Sequence, residues 1–157
     1  MSIVLYRIDD RLVHGQVMTA WSKVYRSTRI LIIDDATAND QFVCQVMKMA
    51  VPGDYQVDIT GIEEGADKIS NDPADKRTMV LVKGPAAILE LLNRGITIKE
   101  LNVGNMGAAP GRRAVMRSLQ VTEEEFKTLQ EIQSKGVRVY AQIYPDGKTV
   151  ELNKLKW

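Results

Sequence analysis

The chain has a single imidazole, His14, and the residues around it carry its densest chemistry. The segment Arg7-Ile8-Asp9-Asp10-Arg11-Leu12-Val13-His14-Gly15 sets two arginines and two aspartates beside that histidine. A neutral imidazole is a nucleophile when one ring nitrogen is held by a hydrogen bond and the other is left to attack. Arginine suits phosphate, because its planar fork matches two oxygens at once. Gly15 has no side chain to keep a bulky tetrahedral group away from the backbone. Together these residues fit a histidine that takes up a phosphoryl group, passes it on and is regenerated. Asp9 and Asp10 oppose this by favouring a charged ring, unless their charge is spent on an arginine or a backbone N–H. The plainer alternative is a surface ion-pair network, with Arg7 and Arg11 matched to Asp9 and Asp10 and His14 an ordinary polar residue.

The hydrophobic pattern says what holds that segment in place. Residues 3–8 are a compact apolar run with Arg7 inside it, the pattern of a strand buried on both faces. Leu12, Val13, Val17, Ala20, Trp21 and Val24 then recur at helical spacing, so the histidine sits in a strand-to-helix turn. A helix starting near His14 points unpaired N–H groups and the positive end of its dipole into the same space, which favours an anion and disfavours imidazolium.

Further strands are predicted at residues 29–33, 55–60, 78–82 and 101–103, with a brief one at 115–119. Phe42, Val43, Val46, Met47 and Ala50 mark a helix stopped by Pro52-Gly53, and Ile62, Ala66 and Ile69 mark a shorter one. Gly84-Pro85 opens a helix carrying Ile88, Leu91 and Leu92 and closed by Gly95. Thr122 and Glu125 form a capping box for the last helix, whose apolar stripe is Phe126, Leu129 and Ile132 and whose stop is Gly136. Residues 137–144 alternate as a half-buried strand does, and Pro145-Asp146-Gly147 turns the chain into a final strand near 149–152.

The order of elements implies an α/β fold: an open, mostly parallel twisted sheet of about six or seven strands, helices on both faces, and an antiparallel edge strand at the C-terminus. In such sheets ligands sit beyond the carboxyl ends of the strands. The segments expected there are residues 9–15, 34–39, 61, 83–84 and 104–107.

Composition narrows the function classes. A length of 157 residues suits one domain, residues 1–157. Lys and Arg number 21 against 20 Asp and Glu, a net charge of +1, which disfavours nucleic acid or an anionic membrane as the main partner. Cys44 is the one cysteine, so no internal disulfide forms and a reducing compartment is expected. Cys44 and His14 alone make no Cys/His zinc cluster, and no mechanism with two histidines is open. No run approaches the ~18 apolar residues of a membrane span, and the first strand begins at once, so a soluble cytoplasmic protein is expected.

The segment from Arg7 to Gln16-Val17 resembles the signature of the IIB component of the mannose/fructose/sorbose family of the bacterial phosphoenolpyruvate-dependent sugar phosphotransferase system. Ile33-Asp34-Asp35-Ala36 and Ala38-Asn39-Asp40 are similar to that family's second strand and next helix start. Leu101-Asn102-Val103-Gly104-Asn105-Met106 resembles its later strand and glycine loop. The resemblance implies that His14 accepts a phosphoryl group on Nδ1 from a phosphohistidine of a IIA protein. The group then passes to a sugar bound by the membrane IIC and IID components. It implies a cytoplasmic protein held at the inner membrane face through that permease, with no cofactor and no metal.

The same resemblance gives the neighbours their roles. Arg11 and Arg7 neutralise the phosphoryl charge, Gly15 and Gln16 offer backbone N–H groups, and Asp10 and Asp9 orient the loop, Asp10 by holding Arg11 or bracing the backbone. Met18, Trp21 and Met106 are candidate partner contacts, although Trp21 lies on the apolar stripe that suits a core.

Two other classes compete. Asp9, Asp10, Asp34 and Asp35 at strand ends, with Lys83 near them, suit a magnesium-dependent aspartyl phosphoacceptor of receiver-domain type. The glycine-rich residues 104–111 suit a non-catalytic nucleotide- or metabolite-binding module, though they lack both G-x-G-x-x-G and G-K-[ST]. Arg112 and Arg113 after that loop are expected to be solvated or to face acidic groups on a partner.

Overall fold

Residues 29–33, Arg-Ile-Leu-Ile-Ile, are continuously apolar after the arginine, and such a run suits a strand covered on both sides. The computed structural model, which describes residues 2–15 and 17–157 apart from the Thr19 side chain, shows why. β1 (Ile3–Asp9), β2 (Arg29–Ile33), β3 (Gln56–Thr60), β4 (Thr78–Val82), β5 (Glu100–Asn105), β8 (Arg138–Ala141) and β9 (Val150–Glu151) form one sheet in the order β3-β2-β4-β1-β5-β8-β9. Every pairing in it is parallel except β8 with β9, which is antiparallel and closes the edge.

Alternate residues feed two cores. On one face Leu5, Ile30, Ile32, Met79 and Leu81 pack with Leu12, Val13, Val17, Met18 and Trp21 from the segment after β1. On the other, Tyr6, Ile8, Leu31, Val80 and Val82 pack beneath α4 (Ile62–Ser70), α5 (Pro85–Asn93) and α6 (Glu123–Ser134). Burying a Leu- or Ile-sized side chain contributes about 1.5–3 kcal/mol, so the central strands β1, β2 and β4 are the rigid part of the molecule. Whatever stands at their carboxyl ends is well positioned.

The helix predicted after β1 is a π-helical turn, Val17–Trp21, running into α1 (Ser22–Val24). Such wide turns occur where the backbone must accommodate a functional or bulky group. Here Trp21 is fully buried and stacks on Tyr25 with 6.1 Å between ring centroids. The capping box on α6 is present in both directions, Thr122 Oγ1 accepting from the Glu125 N–H and Glu125 accepting from the Thr122 N–H.

Two expectations are corrected. The brief strand at 115–119 is an antiparallel ribbon, β6 (Arg113–Met116) and β7 (Leu119–Val121), because Ser118 takes a left-handed φ of 66° and reverses the chain. The helix of Phe42 and Val46, α3 (Gln41–Met49), follows the short α2 (Asp35–Ala38). It buries neither of those residues, and Phe42 is 73% exposed. The helix packs over the edge of the sheet, where Met47 alone of its residues reaches the cluster that contains Val57 and Ile59.

Candidate functional site

The histidine loop is shaped by a turn that a sequence pattern does not reveal. The Leu12 N–H donates to the Asp9 carbonyl at 2.9 Å, and Leu12 adopts φ of 56°, a left-handed conformation that non-glycine side chains resist. Burial of Leu12 and Val13 in the core compensates, and it anchors the loop so that His14 follows at the rim with its side chain 19% exposed. The loop stands at the carboxyl end of β1, beside that of β5. From β1 the chain leaves toward β2 on one side, and from β5 it continues to β8 on the other, so this is a switch point of the sheet.

Asp9 is the hub. Its carboxylate is wholly buried and accepts from the Arg11 backbone N–H at 3.1 Å and from Arg11 Nε and Nη2, each at 3.1 Å. Its Oδ2 also lies 3.2 Å from His14 Nε2 and 3.5 Å from Arg7 Nη2. Burial by itself pushes this carboxyl up, but the hydrogen bonds from His14 and Arg11 and the charge of Arg7 outweigh it and hold the pKa at about 2. An ionised carboxylate can only accept. His14 therefore meets it as Nε2–H, and the lone pair of the neutral ring belongs to Nδ1.

Asp10 braces the loop instead of holding Arg11. It accepts from Asn105 Nδ2 and from the Gly107 N–H, both at 2.7 Å, and its own N–H donates to the Asn105 carbonyl at 2.9 Å. Arg112 lies 3.6 Å from it, donates to the Gly107 carbonyl at 2.8 Å, and forks onto Glu125 at 3.0 and 2.8 Å. Burial pushes the Glu125 carboxyl up, but Arg112 and the α6 cap hold it lower overall. The histidine loop is thereby tied to β5 and to the start of α6. Arg112 is committed to Glu125 and Gly107 and is not free for a partner, whereas Arg113 is exposed, as expected, and stacks on Trp157 at 4.2 Å.

The other expected residues divide. Arg11 is 43% exposed and stands at the rim with His14. Gly15 is exposed beside His14, with open space where a Cβ would sit. Gln16 lies outside the described residues. Arg7 is corrected: its side chain is 1% exposed, so it lies beneath Asp9 and does not face a phosphoryl group. An arginine inside a strand buried on both faces had to be buried too. Met106 is corrected as a partner contact, since it is buried, while Met18 and Trp21 lie in the core, as the apolar stripe suggests.

The carboxylates of the receiver-type alternative are dispersed. Asp34 caps α2 through the Thr37 N–H at 3.0 Å and pairs with Lys83 at 3.6 Å, and Asp35 accepts from the Ile62 N–H at 2.9 Å. Among the described residues no three His, Cys, Asp or Glu side chains are grouped to hold a metal ion. Residues 104 and 105 belong to β5, and the Gly107 N–H is taken up by Asp10.

Pattern reading missed Asn102 and Gln142, which reach Arg7 from β5 and from just beyond β8. A polar Asn102 between Leu101 and Val103 was the available signal, because a buried amide needs partners for each of its polar groups.

The description "PTS system sorbose subfamily IIB component" belongs to a family model that matches residues 3–156. The chain is 33% identical to the "PTS system fructose-specific EIIB component" of Bacillus subtilis (strain 168) over 140 residues, 88% of this chain and 86% of that one. It is similar to the crystal structure of the IIBSor domain of the sorbose permease from Klebsiella pneumoniae, with a TM-score of 0.91, 30% identity, and coverage of 98% and 96% of the two chains. It is also 29% identical to the "PTS system mannose-specific EIIAB component" of Escherichia coli (strain K12) over 141 residues, 88% of this chain but 43% of that longer one.

Proposed function

Because the chain belongs to the sorbose subfamily of IIB components of the sugar phosphotransferase system, we propose that His14 Nδ1 is the atom that carries the phosphoryl group. The donor is a phosphohistidine on a IIA protein, a partner supported by the mannose-specific relative whose name joins the A and B components. The acceptor is a hydroxyl of a sugar bound by the membrane IIC and IID components. The protein works at the cytoplasmic face of the membrane, and no helix among the described residues is long and apolar enough to cross it.

Two displacements make up the cycle. In the first, the P–N bond of the donor breaks as the P–N bond to His14 Nδ1 forms. In the second, that bond breaks with its electron pair returning to Nδ1, a P–O bond to the sugar forms, and the hydroxyl proton is released to water. A loose phosphoryl transition state asks little of the protein beyond alignment and positive charge. Asp9 holds Nε2–H, so the ring stays in one orientation and the charge arriving on it is balanced by the carboxylate. Arg11 neutralises the phosphoryl oxygens. Its Nε and Nη2 are tied to Asp9 before transfer, and the half-exposed side chain turns from Asp9 to the phosphoryl group as that group arrives. Gly15 leaves room for the tetrahedral group.

The observation that carries this is the 3.2 Å contact of Asp9 with His14 Nε2 on a ring at the rim of the switch point. The test is transfer of labelled phosphate from phosphorylated IIA. The wild-type protein takes up label that is lost in mild acid, as phosphohistidine is, and folded His14→Ala takes up none. Undiminished labelling of that variant removes His14 from the mechanism.

A further inference from the structure

Two guanidiniums converge on one carboxylate, and they are not equivalent. Arg11 is 43% exposed, while Arg7 and Asp9 are buried. We propose that Arg7 is a positioning residue, a fixed cation that keeps Asp9 charged and in place under His14 while Arg11 turns to the phosphoryl group. The proposal rests on the phosphoryl-transfer reading above and assigns the two arginines separate work.

Besides Asp9, three contacts and one space seat Arg7. Its guanidinium lies over the Trp21 ring at 4.0 Å. Nη1 donates to Asn102 Oδ1 and, at 3.2 Å, to the Gln142 carbonyl. Asn102 in turn donates to Gln142 Oε1 at 3.2 Å, and Gln142 Nε2 donates to the Gly147 carbonyl at 2.9 Å. The fourth is a space: a Cβ built on Gly104 would overlap the guanidinium carbon and both terminal nitrogens. Glycine at 104 is therefore required by the neighbour, not by the backbone.

Burying a guanidinium is costly unless it is paired and hydrogen-bonded. Such an investment so close to the reacting ring, in a group that cannot reach the surface, fits control of Asp9. When Arg11 rotates toward phosphate, Asp9 loses two of its side-chain hydrogen bonds. Without Arg7 the buried carboxylate would then face His14 with no fixed counter-charge, and a proton shared between the carboxyl and Nε2 would blur which ring nitrogen is the nucleophile. The other charges nearby are committed elsewhere, Asp10 to Asn105 and Gly107 and Arg112 to Glu125.

The single histidine makes the test direct, because a sample labelled with ¹⁵N-histidine shows one imidazole. The variants are Arg7→Met, which keeps bulk against Trp21 but removes charge, Arg7→Lys, which keeps charge but loses the fork, and Gly104→Ala, which displaces the guanidinium. The expected wild-type spectrum at pH 8 is the Nε2–H tautomer alone. Arg7→Met is expected to slow phosphoryl uptake at least tenfold and, in an Arg11→Ala background that stands for Arg11 turned away from Asp9, to give mixed tautomers, with partial rescue in Arg7→Lys and a defect in Gly104→Ala.

Folded Arg7→Met with the wild-type tautomer in that background and uptake within twofold overturns the proposal. A variant that only melts earlier, with tautomer and rate intact, overturns it as well, since that marks a merely structural ion pair. If Arg7→Met does not fold, Arg7→Lys and Gly104→Ala decide by the same two readouts, and wild-type behaviour in both overturns it. The tautomer is read without phosphate, so failure of wild-type labelling sinks the phosphoryl-transfer reading separately.

Discussion

Replacing Asp9 with Asn keeps the side chain's size and removes the charge on which Arg7, Arg11 and His14 converge. The larger consequence falls on Arg7. Its side chain is 1% exposed, and burial lowers its pKa to about 10 even with Asp9 beside it. Breaking a buried pair by removing one partner costs about 3–5 kcal/mol. A domain of this size has roughly 5–15 kcal/mol in all, so Asp9→Asn should lower Tm by about 6–20 °C at roughly 2–4 °C per kcal/mol.

Acid should act on the wild-type protein in the same direction. The Asp9 pKa is about 2 in the folded chain against an ordinary 3.8. A depressed carboxyl pKa stabilises the fold fully above the ordinary value, and the contribution is lost as pH falls from about 4 through 2. It amounts to about 2–3 kcal/mol. Urea titrations followed by circular dichroism at pH 7, 5, 4, 3 and 2.5 read both effects. The wild-type midpoint should fall steeply below pH 4, and Asp9→Asn, already weakened at pH 7, should lose about 1–2 kcal/mol less down to pH 2.5, where the folded carboxyl is still partly ionised. Equal stability of the two proteins at pH 7, or parallel losses below pH 4, would refute the assignment of Asp9 as a charged hub.

Arg11→Ala should slow transfer and cost some stability. The side chain is 43% exposed, but its two hydrogen bonds fall on the buried Asp9 carboxylate, so stability should fall by about 1–3 kcal/mol, less than in Asp9→Asn because Arg7 still faces the carboxylate. Phosphoryl uptake should fall about a hundredfold, the scale of losing one preorganised charge contact. A rate within threefold of wild type removes Arg11 from the transfer step. Met106→Ala should cost about 2–5 kcal/mol, as other large-to-small core changes do, and leave the affinity for the donor protein unchanged. An unaltered urea midpoint with weakened donor binding would restore Met106 as a surface contact.

Much of this architecture is legible because it rests on local chemistry. Residues 30–33 and 79–82 are continuously apolar, as a doubly covered strand requires, and the two strands run Arg29–Ile33 and Thr78–Val82. Thr122 and Glu125 mark the start of α6 by a motif complete within four residues. The loop after β1 was expected beyond the carboxyl ends of the strands, and His14 and Arg11 stand there together, although the strand order that makes it a switch point was not legible.

What was not legible depends on residues distant in the chain. Arg7 was expected at the phosphate because arginine suits phosphate, but its neighbours Tyr6 and Ile8 are core residues and its partners come from β5 and beyond β8. Met106 looked exposed in a glycine-rich stretch, yet the ribbon folds back on it, with the Gln120 N–H donating to its carbonyl at 2.9 Å. Phe42 and Val46 obey helical spacing, but periodicity does not say how far the sheet extends beneath a helix.

The most direct measurement is the ¹⁵N spectrum of the single labelled imidazole before and after phosphoryl transfer from IIA. Phosphorus should appear on Nδ1 of His14, with Nε2 still protonated and bonded to Asp9. Phosphorus on Nε2, or label found as a hydroxylamine-sensitive acyl phosphate with the imidazole spectrum unchanged, would contradict the mechanism.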